Sequence, residues 1–100
     1  LLKIRHINLE EWAMNGKTMI SVIEMTASGG PEVLIQGERE CPTPLENEVL
    51  IKVIAAGVNG PDMVQRRGHY PPPKGSSDLL GLEVSGIIAA TGSAVTRWRE

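Results

Sequence analysis

The chain has 100 residues, of which 41% are hydrophobic and 22% are charged, and its formal net charge is −2. That length allows one small domain at most, with a core of its own, and the composition is ordinary for a globular chain. The small negative charge, without a basic run, excludes the electrostatic footprint of a protein that binds nucleic acid or an anionic membrane surface. We therefore predict no nucleic-acid partner.

Two further exclusions concern compartment and membrane. Cys41 is the only cysteine, so an internal disulfide framework is excluded and a reducing compartment fits. We predict a cytoplasmic protein. No apolar run approaches the roughly 20 residues that a membrane-spanning helix needs, so we also predict no membrane partner.

Residues 1–18 differ from the rest of the chain in their pattern of apolar and charged residues. They mix charged residues with scattered apolar ones and carry neither alternation nor the small-residue cleavage pattern of a secretory signal. Because disorder concentrates at termini, we predict a loosely ordered leader over 1–18 and a natural start at Met19. The folded unit is predicted to occupy residues 19–100.

From Met19 onward the pattern is that of strands and turns. Apolar and polar residues alternate from Met19 over about six residues, which predicts a strand. The Ser-Gly-Gly-Pro sequence at 28–31 predicts a turn, and 33–36 reads as a second short strand. Residues 41–47 contain two prolines, which disfavour strand pairing, and are predicted to form a loop.

Two longer apolar segments follow. Residues 48–58 give the longest strand signal, with apolar side chains on both faces, so this strand is predicted to be buried on both sides. Residues 80–90 repeat the pattern, with Leu82 and Val84 among the residues assigned to its apolar side. Together these segments predict a β-rich domain.

The one predicted helix lies between those two strands. Pro61 suits a first helical position, and Asp62 complements the positive end of the helix dipole. Arg66 and Arg67 are expected to form a solvated helix end, and Gly68 supplies the left-handed stop. Asp62 remains open to two interpretations at this point, a first-turn carboxylate with a structural role or a site residue.

Several linked sequence blocks identify a family. In order and spacing they resemble the N-terminal, GroES-like part of the medium-chain dehydrogenase/reductase superfamily, and especially its zinc-free quinone oxidoreductases, the zeta-crystallin-like group. The likeness covers residues 19–100. It implies a mainly β fold, a GroES-like, partly open β-barrel with one short helix, truncated before the Rossmann domain. The blocks are GGPEVL at 29–34, GVNGPD at 57–62, QRRGHYPPP at 65–73 and GLEVSG at 81–86.

The resemblance also bears on metal binding. Zinc-dependent members of the superfamily place a cysteine where this chain has Asn59, and a histidine where it has Leu82. A catalytic zinc site needs three protein ligands drawn from Cys, His and carboxylate. His6, His69 and Cys41 have no ligand spacing either, so we predict that the chain binds no catalytic metal.

The activity that the resemblance implies is hydride transfer from NADPH to a quinone or another electron-poor alkene, without zinc. NADPH would be bound mainly by a dinucleotide-binding domain, whose G-x-G-x-x-G turn is absent from these 100 residues. The chain alone is therefore expected to be inactive. The resemblance further implies a parent protein that is a homodimer or a homotetramer.

The resemblance assigns site residues by position. Tyr70 is expected to line the quinone pocket, where its ring stacks on the acceptor and its hydroxyl bonds a carbonyl. Asn59 is expected to hydrogen-bond the nicotinamide ribose or the substrate, and Glu83 to be structural. Ordinary alternatives are an Asn-Gly turn for Asn59 and packing on the proline loop for Tyr70. The residues expected to border the cofactor are Asn59, Gly60, Pro61, Asp62, Met63 and Val64.

Two other functions remain open from the sequence. One is a different reductase of the same superfamily, such as an enoyl-thioester reductase. The other is a non-enzymatic GroES-like binding module, since a fold alone is a weak guide to function.

Overall fold

The computed structural model describes residues 2–5 and 19–100. Over these ranges the chain is mainly β with one short α-helix, as predicted, and no helix there has the length and apolar character needed to cross a bilayer. In chain order the elements are β1 (Leu2–Arg5), β2 (Met19–Met25), a 3-10 helix (Pro31–Val33), β3 (Leu34–Glu40), β4 (Val49–Ala56), α1 (Gly60–Arg66) and β5 (Val84–Thr91).

The strands form two sheets. One has three strands in the order β1-β4-β5, and the other is the antiparallel hairpin β2-β3. Within the three-stranded sheet, β4 is parallel to β1 and antiparallel to β5. The two sheets of the described ranges do not close on each other, which agrees with a partly open barrel.

The β2-β3 hairpin confirms the first predicted strand and the turn that follows it. β2 pairs with β3 from Met19, opposite Glu40, to Met25, opposite Leu34. β3 is longer than the predicted strand 33–36, because cross-strand pairing outweighs the low strand propensity of a glycine and several charged residues. Val33 lies instead in the 3-10 helix, where its carbonyl oxygen accepts a 2.9 Å hydrogen bond from Thr26 N–H.

β4 carries most of the core. Leu50 packs with Ile20 and Ala89 on one side, while a second cluster on the other side contains Val49, Ile51 and Val53. The first half of β4 is thus buried on both faces, as predicted. The prediction was wrong for the second half, since Ile54 is 67% exposed and the two alanines after it are also exposed. Neither core cluster includes a residue of β4 after Val53, so the two-sided burial ends there.

β5 starts later than predicted. The predicted strand began at residue 80, but pairing with β4 begins where Val84 lies opposite Ala56. Gly81 has a φ of +117°, which strand residues do not adopt, so the backbone before Val84 leaves the sheet. Leu82, assigned to the apolar side of a strand, is 59% exposed.

A buried carboxylate closes the loop that precedes β4. The loop 41–47 is confirmed, and the Glu48 side chain, 3% exposed, accepts a 2.8 Å hydrogen bond from Leu45 N–H. The Glu48 carbonyl oxygen accepts another 2.8 Å bond from Gly92 N–H. The loop is therefore tied to the end of β5.

The N-terminal segment contributes one strand that the sequence did not predict. Leu2–Arg5 pairs in parallel with β4, in register from Leu2 opposite Val49 to Arg5 opposite Lys52. Residues 6–18 lie outside the described residues. The loosely ordered leader over 1–18 therefore stays a prediction.

Candidate active site

The candidate site begins where β4 ends, at the connection to α1. Gly57 N–H donates a 3.0 Å hydrogen bond to the Glu83 carbonyl oxygen, which joins this connection to the start of β5. The Glu83 carboxylate lies directly over Gly57, and a Cβ on Gly57 would contact it and lie 3.4 Å from Asn59 Nδ2. A larger residue at position 57 would require the Glu83 side chain to move. The Glu83 carboxylate and the Asn59 amide thus both lie near Gly57.

Asn59 and Asp62 shape the start of α1. Asn59 is half-buried and extended, with φ −127° and ψ 166°, and it is the N-cap of the helix. Asn59 N–H donates a 2.9 Å hydrogen bond to Asp62 Oδ2, and Asp62 N–H donates a 3.1 Å bond to the Asn59 carbonyl oxygen. Asp62 is only 7% exposed. Its carboxylate thus reaches back to the cap, as the acidic residue of a capping box does.

The structure assigns Asp62 a structural contact without excluding a site role. Its second oxygen, Oδ1, is buried and has no hydrogen-bond partner among the described residues. Pro61 occupies the second helical position, one residue later than predicted, because α1 begins at Gly60.

Removal of the Asp62 carboxylate gives a first prediction. We expect Asp62→Ala to lower the free energy of unfolding by about 1 kcal/mol, because one backbone donor at the helix start loses its acceptor. Asp62→Asn keeps an acceptor oxygen in the same place and is expected to lose less. Urea unfolding of both variants, followed by circular dichroism, measures the difference. Equal losses in the two variants would contradict the capping role.

The other end of α1 is fixed to the turn between β2 and β3. The Arg66 carbonyl oxygen accepts a 2.9 Å hydrogen bond from Gly29 N–H, and Arg66 Nε donates a 3.1 Å bond to the Gly29 carbonyl oxygen. Arg66 was expected to be a solvated helix end, and this was wrong: its half-buried guanidinium links helix and turn. Gly68, with φ +89°, supplies the predicted left-handed stop.

Tyr70 lies beyond that end of the helix. It follows Gly68 in a bend, is 50% exposed, and precedes the three exposed prolines at 71–73. Seven helical residues rise about 10 Å, so α1 separates Asn59 at its start from Tyr70 after its end. Between them Met63 and Val64 are 43% and 39% exposed. The predicted residues therefore border one helix and do not form a single cluster.

The chemistry of this surface is that of an amide, a phenol and apolar side chains. Asn59 and the exposed Leu82 stand at the two positions where the sequence resemblance implies zinc ligands in zinc-dependent members. Within residues 2–5 and 19–100, no group of three or more His, Cys, Asp or Glu side chains is arranged to hold a metal ion. Hydrogen bonding and stacking are what the described side chains offer to a ligand.

Sequence reasoning missed one cavity. It has a volume of about 370 Å³ and lies beside the start of β4 and the residues that follow β5. No motif pointed to it, and the only local signal was Trp98, which is 58% exposed. The lining residues are Asn47, Val49, Ala94, Val95, Thr96, Arg97 and Trp98.

Comparisons with known proteins agree with this architecture. A quinone oxidoreductase from Lama guanicoe is 38% identical over 86 residues, which are 85% of this chain and 26% of that protein. Quinone oxidoreductase 1 of Escherichia coli K12 is 43% identical over 77 residues, which are 77% of this chain and 23% of that protein. The chain therefore spans about a quarter of the length of the curated relatives it matches.

A solved structure gives the same result. The crystal structure of Escherichia coli quinone oxidoreductase complexed with NADPH superimposes with a TM-score of 0.71 and 40% identity. The match covers 79% of this chain and 24% of that one. Residues 45–100 match the model of the alcohol dehydrogenase GroES-like domain. The chain thus belongs to the alcohol dehydrogenase GroES-like family, and within it the chain resembles the N-terminal part of the quinone oxidoreductases.

Proposed function

We propose that the chain is the N-terminal part of an NADPH-dependent quinone oxidoreductase that acts without zinc. The observation that carries the proposal is the similarity to quinone oxidoreductases, one of them solved with NADPH, at 38–40% identity over about four-fifths of the chain. The substrate is a quinone or another electron-poor alkene. The parent protein is cytoplasmic and a homodimer or homotetramer; its single cysteine in this part supports a reducing compartment.

The described residues fit the nicotinamide side of such a site. Met63 and Val64 present apolar surface on α1, and Asn59 presents an amide at the start of the helix. When NADPH is bound, it supplies a hydride to the acceptor, which takes a proton from water or from a nearby hydroxyl. Gly60, Pro61 and Asp62 complete the first turn that would border the cofactor.

In this proposal the chain's own residues orient the acceptor and the cofactor, and they do not take part in covalent chemistry. The exposed Tyr70 ring stacks on the acceptor, and the Tyr70 hydroxyl donates a hydrogen bond to an acceptor carbonyl oxygen. Asn59 hydrogen-bonds the nicotinamide ribose or the substrate. Because hydride transfer needs neither a nucleophile nor a strong base, holding the two rings at reacting distance is the main task.

The proposal predicts two activities that differ sharply. We expect the full-length protein to oxidise NADPH when 1,4-benzoquinone is added, and the isolated chain 1–100 to give no turnover, because the chain lacks a dinucleotide-binding turn. Absorbance of the reduced nicotinamide follows both reactions.

An enoyl-thioester in place of the quinone tests the main alternative. Faster reduction of the thioester than of the quinone would replace the proposed substrate class. NADPH oxidation by chain 1–100 alone would contradict the requirement for a second domain. No NADPH oxidation by the full-length protein with any acceptor would favour a non-enzymatic binding module.

A further inference from the structure

A cluster of three charged side chains joins the β2-β3 hairpin to the segment that follows α1. Arg39, on β3, donates hydrogen bonds from Nη1 to Asp78 Oδ1 at 2.6 Å and from Nη2 to Asp78 Oδ2 at 3.0 Å. Nη2 also lies 3.4 Å from Glu24 Oε2, on the neighbouring strand β2. Paired bonds between a guanidinium and a carboxylate are geometrically specific and stronger than a single ion contact. The hydrogen bond to Asp78 and the two negative charges raise the pKa of Arg39.

Asp78 lies at the far end of the segment that carries Tyr70. The segment runs from Gly68 to Asp78, and all of its residues are exposed. Burial therefore does not hold it in place. Its internal backbone bond, from Ser76 N–H to the Pro73 carbonyl oxygen at 3.0 Å, closes only a local turn. The recorded bonds that join it to the rest of the described fold lie at or beside its two ends.

One end is attached to the β2-β3 hairpin through α1, and the other end is attached to it directly. Just before the near end, Arg66, the last residue of α1, is bonded to Gly29 in both directions, and Gly68 N–H donates a 3.0 Å bond to the Gln65 carbonyl oxygen. At the far end, Asp78 is bonded to Arg39. Gln65 Nε2 adds a 3.4 Å bond to the Asp78 carbonyl oxygen, from α1.

The part of the segment next to Tyr70 is stiff. Three consecutive prolines at 71–73 have fixed φ angles and form a semi-rigid spacer. Residues 74–77, which include a glycine with φ +87°, connect this spacer to Asp78. Release of Asp78 therefore frees the spacer as a unit, and Tyr70 directly precedes the spacer.

From this geometry we infer that Arg39 and Asp78 are positioning residues of the substrate site, whose paired hydrogen bonds hold the segment 68–78 so that Tyr70 faces the acceptor. The inference rests on the proposed function for the identity of the acceptor. Neither residue touches the acceptor. They act through Tyr70, whose contacts bind the acceptor, so their loss is expected to raise KM without lowering kcat.

The test uses the full-length protein and three variants. Asp78→Asn and Arg39→Lys each remove the paired geometry, since an amide carries no charge and an ammonium cannot form the planar fork. We expect each to raise the KM for 1,4-benzoquinone about threefold to fivefold, within the range of a partly exposed ion pair, with kcat and the KM for NADPH unchanged. Glu24→Gln is the matched control, because it removes a charge beside Arg39 and leaves the bonds to Asp78. Its KM is expected to stay within about twofold of the wild-type value.

A second readout does not depend on activity. Lys74 lies in the exposed segment, so trypsin cleavage after Lys74, identified by mass spectrometry, reports how tightly the segment is held. We expect faster cleavage in Asp78→Asn and Arg39→Lys, and the wild-type rate in Glu24→Gln. The exchanged pair Arg39→Asp with Asp78→Arg restores opposite charges and is expected to recover part of both effects.

The outcomes separate the two proposals. Unchanged cleavage and unchanged quinone KM in Asp78→Asn would overturn the inference, as would an equal rise in KM in Glu24→Gln. Faster cleavage with an unchanged KM would overturn the positioning role. Faster cleavage in a protein whose wild type reduces no quinone would overturn the proposed function, and the positioning role with it, while the attachment of the segment would stand.

Discussion

Alanine at Gly86 is expected to lower the free energy of unfolding by about 2 kcal/mol, within the range for an added methyl group that forces the backbone to move. Gly86 lies in β5, opposite Val53 of β4. A Cβ on Gly86 would overlap the Lys52 carbonyl oxygen and lie 2.8 Å from Ile51 Cγ2. The register shifts of the β4-β5 pair flank this position. The overlapping atom is therefore backbone of the central strand and cannot move without opening the ladder.

The chain supplies a matched control for that substitution. A Cβ on Gly60 would meet no atom within 4 Å, and Gly60 does not have a positive φ. Because alanine has a higher helix propensity, Gly60→Ala is expected to leave stability unchanged or to raise it by up to about 1 kcal/mol. Urea unfolding of both variants measures the difference. A loss at Gly60 as large as that at Gly86 would show that the contact with Lys52 is not the cause.

The second large effect is expected at Tyr70. In the full-length protein, Tyr70→Ala is expected to lower kcat/KM for 1,4-benzoquinone by about tenfold to a hundredfold, because a stacking contact and a hydrogen bond are both lost. Tyr70→Phe keeps the ring and is expected to lose about tenfold or less. Steady-state NADPH oxidation measures both values. The comparison separates the contribution of the ring to kcat/KM from that of the hydroxyl.

His69 is the control for Tyr70. It is an exposed neighbour in the same bend, and only its backbone N–H makes a bond that the structure records, 3.0 Å to the Val64 carbonyl oxygen. His69→Ala keeps that bond and is expected to keep wild-type kinetics. A wild-type kcat/KM in Tyr70→Ala would remove Tyr70 from the acceptor site. An equal loss in His69→Ala would assign the effect to the bend itself.

Features that depend on near neighbours in the chain were predictable. The end signal of α1 at Gly68, the turn at 28–31 and the strand from Met19 follow from the local preferences of glycine, proline and alternating apolar residues. The burial of the first half of β4 was also predictable from the sequence, because its apolar residues occur on both faces.

Features that depend on residues far apart in the chain were not predictable from the sequence. The length of β3 is set by its pairing with β2, and the late start of β5 by the backbone at Gly81. Arg39 and Asp78 are 39 residues apart, and no local pattern marks either as a partner. The sequence pattern predicted a solvated helix end at Arg66, and the bonds of Arg66 to Gly29 contradict that prediction.

In the candidate site, too, some features were predictable from the sequence and others needed the fold. The residue positions came from the sequence blocks, and the structure places them along α1 and at its two ends. The structural role of Asp62 depends on an i to i+3 contact, so a capping pattern was present in the sequence, although it did not separate a cap from a site residue. The placement of Asn59 and Glu83 beside Gly57 brings two separate segments together and needed the fold.

We propose that Asn59 and Leu82 leave the full-length protein with a working site that has no catalytic metal. The most direct test is NADPH-dependent reduction of 1,4-benzoquinone by the full-length protein before and after exhaustive chelation, with zinc content measured on the same samples. We predict the same rate in both samples and zinc well below one ion per chain. One tightly held zinc per chain, whose removal abolishes the activity and whose return restores it, would contradict the account.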